Sequence, residues 1–125
     1  MTQAIGPGQS GQSKQSGESG QTGHPADWGR FSDPALLILV SLAAGPKHGY
    51  AMVQDIERIA EVHLGPGTLY GALARLEEQG LIEPLPAEER RRPYRLTDSG
   101  AAMLRAQLAA LETVVSTGQR RLAPA

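Results

Sequence analysis

The chain has 125 residues, a formal net charge of -1 from 12 Lys and Arg against 13 Asp and Glu, and no cysteine. That length leaves room for one ordinary domain, and the missing thiols exclude disulfides and cysteine catalysis, leaving metal binding to His and carboxylates. The near-zero sum gives no global sign of a nucleic-acid partner, but Arg90, Arg91, Arg92 and Arg95 fall within six positions, so the distribution matters more than the total.

From Thr2 to Gly23 the chain is Gln, Gly and Ser with almost no large apolar side chain. Such a segment buries too little surface to offset its ordering entropy, so residues 1–30 read as a disordered tail. It lacks the apolar core of a signal peptide, and no run in the chain reaches the roughly 18 to 20 apolar residues needed to cross a bilayer. The chain is therefore expected in the cytoplasm, away from membranes. Trp28 and Phe31 follow in a segment without periodicity and are expected to pin the end of the tail to the domain. Asp33 then caps a helix with Pro34 at its first position. The run from Ala35 to Ala44 is apolar nearly all round, broken only by Ser41, so it needs cover on more than one side. A partner subunit and a central position within a single chain both satisfy that need.

Gly45 and Pro46 stop this helix, and Lys47, His48 and Gly49 lead into the next. Between Tyr50 and Ala60, the residues Met52, Val53, Ile56, Ile59 and Ala60 form one apolar stripe, an ordinary amphipathic helix. Glu61 to Gly65 connects it to a further helix, which makes the pair a helix-turn-helix. His48 and His63 have no paired spacing of metal ligands and read as capping or solvated imidazoles, so no metal or cofactor is expected.

The stretch GPGTLYGALARLEEQGLIE, from Gly65 to Glu83, organises the rest. Leu69, Leu73 and Leu76 stack on one side of a helix and face a core. The opposite side carries Gly67, Gly71, Ala74 and Glu78, flanked by Thr68, Tyr70 and Arg75, so it can approach something closely. Pro66 fixes its start and Gly80 its left-handed end. Leu81 to Leu85 and Pro93 to Thr97 read as strands around a polar loop from Pro86 to Arg92. The order helix, strand, basic loop, strand is that of a winged helix: mainly α with a small β-hairpin wing. Three arginines at the hairpin sit where a duplex backbone would pass, and guanidinium also favours a narrow minor groove. Glu88 and Glu89 oppose this, and either pair with the arginines or limit non-specific binding. Tyr94 and Leu96 alternate with polar neighbours and read as packed.

Thr97 opens the last helix with a hydroxyl cap, and Asp98 sits in its favourable first turn. Leu104, Leu108, Leu111 and Val115 follow a 4, 3, 4 spacing, a coiled-coil-like seam. Only about three heptads are sustained, so the seam could instead dock on the chain's own first helix. Since that helix also needs cover, a two-fold homodimer in which last helices pack on each other and on first helices is the economical solution. Gly118 is expected to fray or end the helix. The organisation read from the sequence is thus 1–30 tail, 31–97 winged helix-turn-helix and 98–122 dimerisation helix.

No nucleophile and base at a recognisable spacing, no phosphate loop after a strand and no metal cluster is present, so no catalytic residue is assigned and no enzyme is expected. The blocks HGYAMVQDIE, GPGTLYGALARLEEQGLIE and RRRPYRLTDSG, followed by the leucine-spaced helix, resemble the PadR family of bacterial transcriptional regulators over about Asp33 to Val115. The resemblance implies a winged helix-turn-helix dimer, usually a repressor, of the smaller subgroup with a single C-terminal dimerisation helix. It also implies a response to a small ligand or stress, with a small-molecule effector near the dimer interface. By the same resemblance Thr68, Tyr70 and Arg75 match positions that face DNA, and Arg90 to Arg92 form the wing. Two departures stand out: His48 replaces a common aromatic, and the last helix has no aromatic residue.

The expected mechanism is an operator-binding dimer. Its two organising helices would enter successive major grooves roughly 34 Å apart on an inverted repeat. Arg75 is the candidate for a base or phosphate contact, Thr68 and Tyr70 for phosphate contacts, and Gly71 for close approach. The rival reading is a winged-helix protein-interaction module without DNA.

Overall fold

The computed structural model describes residues 32–124; the tail, Trp28 and Phe31 lie outside the described residues. Four helices and three short strands follow in the order α1 (Pro34–Ala43), β1 (Lys47–His48), α2 (Gly49–Ala60), α3 (Pro66–Glu78), β2 (Ile82–Pro84), β3 (Pro93–Leu96) and α4 (Asp98–Leu122). The expected helix-turn-helix and hairpin are both there. β1 is additional, and it completes an antiparallel three-stranded sheet in the order β1-β3-β2. Lys47 lies opposite Tyr94 and Ile82 opposite Leu96, so the segment before α2 is bonded to the wing.

Helix α1 is the centre of the domain. Asp33 caps it through Oδ1, which accepts from the amides of Ala35 and Leu36 at 3.1 and 3.4 Å. Leu36, Leu37, Ile38, Leu39 and Leu42 are all buried, with α2, α3, α4 and β3 packed around them. The all-round apolar helix therefore finds its cover within one chain, and a partner subunit is not needed to explain it. Ser41 is buried among these side chains. Its Oγ donates to Asp55 Oδ2 at 2.7 Å, which gives the lone polar group of the helix a partner and ties α1 to α2. Arg58 reaches the other Asp55 oxygen at 2.7 Å, and Lys47 Nζ lies 3.8 Å away. The hydroxyl of Ser41, followed by these two cations, holds the Asp55 carboxyl below its ordinary value against the cost of burial.

The core face of α3 is as expected: Leu69, Leu73 and Leu76 are buried, joined by Ala72. At its end Gly80 takes φ +75, its N–H bonding to the Glu77 carbonyl and the Leu81 N–H to that of Leu76 at 3.0 Å each, which is the Schellman arrangement. Thr97 ties this corner to α4, since its Oγ1 donates to the Gly80 carbonyl at 2.7 Å and accepts from the Gly100 amide at 3.0 Å.

The last helix departs from expectation in two ways. Gly118 does not end it, and α4 runs 25 residues to Leu122. Its seam is also split. Leu104 is only 5 % exposed within a single chain, and Leu111 packs on the same core, so Leu104 does not belong to a surface open to another subunit. Leu108 and Val115 are exposed, together with Met103, Val114 and Leu122. The reason is geometric: residues seven apart share one column of the helix, and the domain covers the 104/111 column but not that of 108 and 115. No helix among the described residues is long and apolar enough to cross a membrane.

Candidate nucleic-acid interface

The outward side of α3 is built by residue size. Thr68, Tyr70, Ala74 and Arg75 are exposed, while Gly71 is half-buried between them. A Cβ on Gly71 would meet only Arg75 Nη1, at 3.7 Å, so the glycine is not required by packing. Gly65 caps α3 without any side-chain hydrogen bond, and Pro66 stands at its first position. Gly49 serves a different purpose, since a Cβ there would lie 3.0 Å from the Tyr70 hydroxyl and 3.1 Å from Leu69. Its absence lets the start of α2 seat against Tyr70.

The wing stands beside this helix. Glu88 and Arg91 exchange backbone hydrogen bonds of 2.6 and 2.7 Å, and Glu89 and Arg90 between them have φ +48 and +73. Two positive φ values in a two-residue loop define a type I′ turn, ordinarily the place of Asn and Gly. The arginines of the wing are not equivalent. Arg92 Nη1 donates to the Leu85 carbonyl at 2.9 Å and pins the hairpin. Arg91 Nη1 lies 3.2 Å from His48 Nε2, across 43 residues of sequence. Arg90 sits at the left-handed tip. Arg95 is exposed but pairs with Glu83 on the facing strand, so its charge is answered within the hairpin. Among the described residues neither Glu88 nor Glu89 forms an ion pair with these arginines.

Between wing and helices lies a cleft of about 270 Å³, lined by His48, Gly49, Tyr50, Tyr70 and Tyr94 together with Arg90, Arg91 and Arg92. It brings Tyr70 and all three wing arginines to one place, while Thr68, Gly71 and Arg75 line the same helix outside it. Tyr94 is half-buried, as its alternation implied, and burial pushes its hydroxyl pKa up. His48 caps α2, its Nδ1 lying 3.4 Å from the Ala51 amide. His63 lies 2.6 Å from Glu57, and no group of three or more potential metal ligands occurs among the described residues. Two participants were not singled out from sequence: Tyr50, exposed beside Tyr70 and accepting from Gln54 at 3.3 Å, and His48 as a contact of the wing. Only the low aromatic content could have drawn attention to Tyr50.

A helix-turn-helix whose second helix stands outward beside a cationic hairpin is a winged helix-turn-helix domain. Residues 38–106, more than half the chain, match the transcriptional regulator PadR-like family, and the chain belongs to that family. It is 49% identical over 75 residues, 60% of this chain and 22% of the other, to an uncharacterized 37.1 kDa protein in transposon TN4556 of Streptomyces fradiae. To the transcriptional activator GvpE2 of Halobacterium salinarum it is 33% identical over 73 residues, 58% of this chain and 37% of that protein. The chain thus spans between about a fifth and two-fifths of the curated relatives it matches. Among solved structures, a PadR family transcription regulator from Clostridium difficile superposes with a TM-score of 0.65 at 26% identity, covering 71% of this chain and 97% of that one. The family it belongs to is one of transcriptional regulators.

Proposed function

We propose that the chain binds DNA sequence-specifically as a homodimer and represses transcription from an inverted-repeat operator. The cleft that gathers the wing arginines beside Tyr70 carries this reading, because it places uncompensated guanidinium groups next to a helix face small enough to enter a major groove. Residues 31–97 form the reading head and 98–122 the dimerisation helix. Thr68 and Tyr70 hold phosphates, Arg75 contacts a base or phosphate, Gly71 permits close approach, and Arg90, Arg91 and Arg92 follow the backbone or minor groove. Dimerisation uses Leu108 and Val115, with Leu111 at the margin and Leu104 supporting the helix from within the core. Their exposure on a long helix supports this. A small-molecule effector that releases the operator would sit near that interface, where a cavity of about 210 Å³ is lined by Leu36, Leu39, Leu76, Met103 and Gln107. The site of action is the cytoplasm.

The test is binding of the protein to its own upstream DNA at two salt concentrations, beside the Arg90→Ala, Arg91→Ala, Arg92→Ala triple variant. Selective binding that weakens with salt, and weakens again with a shallower salt slope in the variant, is expected. A folded dimer that selects no sequence, from that DNA or from a random pool, would overturn the reading in favour of a protein-interaction module. Transcription in vitro with and without the protein fixes the sign, for which the activator name of one relative supplies the rival.

A further inference from the structure

Among the described residues the cations near the wing fall into two groups. Arg95 is neutralised by Glu83, and Arg58 and Lys47 by Asp55. Arg91 is instead held by His48, whose ring nitrogen lies 3.2 Å from its Nη1. An uncharged acceptor can orient a guanidinium without cancelling its charge. No carboxylate lines the cleft into which Arg91 faces. The first turn of α2 borders the same cleft through Gly49 and Tyr50, and helix geometry leaves their two amides without an intrahelical carbonyl. The phenols of Tyr50 and Tyr70 add two further donors at the rim.

We infer that this cleft seats a single phosphate group, and that His48 is the positioning residue that holds Arg91 ready for it. The inference rests on the DNA-binding reading for the source of that phosphate, a duplex backbone, but its chemistry is that of any phosphate. His48 is suited to the task because both its ring nitrogens face donors, Arg91 and the Ala51 amide at 3.4 Å. Neutral imidazole has one acceptor nitrogen, so it serves one of them at a time. When phosphate engages Arg91, the ring takes the tautomer with its proton on Nε2, and the lone pair on Nδ1 then accepts from the Ala51 amide and caps α2.

Two measurements test this. The first is titration of the protein with inorganic phosphate against chloride at equal ionic strength, followed by NMR. The amides of Gly49 and Tyr50 and the Arg91 side-chain N–H signals should shift, and the amide shifts should vanish in Arg91→Ala. The second is a double-mutant cycle on duplex binding. His48→Asn keeps a good helix cap but cannot reach Arg91, so the melting temperature should hold while affinity falls roughly 2- to 10-fold, the cost of ordering one long side chain. In the Arg91→Ala background the same change should have no further effect. His48→Gln, which returns an acceptor toward Arg91, should recover part of the loss. Additive effects in the cycle, or an unchanged affinity in His48→Asn, would overturn the role of His48. Selective duplex binding with cleft signals unmoved by phosphate would overturn the seat and leave the DNA reading standing. Cleft signals that move with phosphate in a protein selecting no duplex would keep the seat and remove the DNA reading.

Discussion

A Cβ on Gly100 would lie 2.0 Å from the Leu81 carbonyl oxygen. That carbonyl is itself fixed, accepting from the Thr97 amide at 3.1 Å, while the Leu81 amide closes the cap of α3. Gly100 is thus the point at which α4 touches the backbone leaving α3. Because the obstacle is main chain, Gly100→Ala forces the two elements apart. The expected loss is about 2 to 4 kcal/mol in urea unfolding. A variant within about 0.5 kcal/mol of the parent would show that α4 can shift at no cost.

Asp55 makes the stability of the domain acid-sensitive. Its folded-state pKa lies below the ordinary value of 3.8, chiefly through the Ser41 hydroxyl. The stability it contributes is therefore complete above that ordinary value and is lost as the pH falls below it through the folded pKa. Asp55→Asn should flatten this part of the stability profile. Ser41→Ala should cost about 1 to 3 kcal/mol near neutral pH, as for a hydrogen bond to a charged group, and should shrink the acid-dependent loss. Denaturant midpoints measured between pH 2 and 6 check both.

Substitutions at Gly71 should separate folding from the proposed docking on DNA. Replacing it with Ala should leave the fold intact and raise helix stability by about 0.5 to 1 kcal/mol, since glycine is a poor mid-helix residue and the added methyl meets only the Arg75 side chain. Gly71→Leu should fold as well, yet lower operator affinity by at least about tenfold by holding the helix off the groove floor, a penalty of about 1.4 kcal/mol or more. Thermal unfolding beside fluorescence anisotropy on a duplex distinguishes the two effects.

The two columns of α4 should respond differently. Leu108→Asp with Val115→Asp should leave the monomer folded and raise the dimer dissociation constant by at least about two orders of magnitude, since burying each side chain would otherwise contribute about 1.5 to 3 kcal/mol. Leu104→Ala should instead lower the stability of each subunit by about 2 to 5 kcal/mol. Sedimentation velocity with parallel unfolding curves reads both.

Local chemistry was legible in the sequence. The spacing of Leu69, Leu73 and Leu76, the caps at Asp33 and Thr97, and the turn at Gly80 involve residues within a few positions of one another, where periodicity and turn preferences carry the information. What escaped were relations across the chain. β1 is two residues long and has no period to detect. His48 meets Arg91 across 43 positions, and Ser41 meets Asp55 across 14. Leu104 and Leu108 carry the same side chain in one heptad pattern, and only the packing of the domain decides which is covered. Sequence alone does not tell the wing arginines apart for the same reason: the partners of Arg92 and Arg91, Leu85 and His48, are chosen by the folded hairpin.

Helix α4 is fastened at its root by Thr97 and Gly100 and is unsupported toward its far end. At 25 residues it is about 37 Å long by the rise of an α-helix, so a tilt of about 10° at the root sweeps the tip by about 6 Å. In a two-fold pair, each such lever would carry its own reading head around the shared axis. A molecule wedged beside Met103 and Gln107 would need to bend nothing within either head to spoil the match to two successive grooves. A change of angle at the shoulder would suffice.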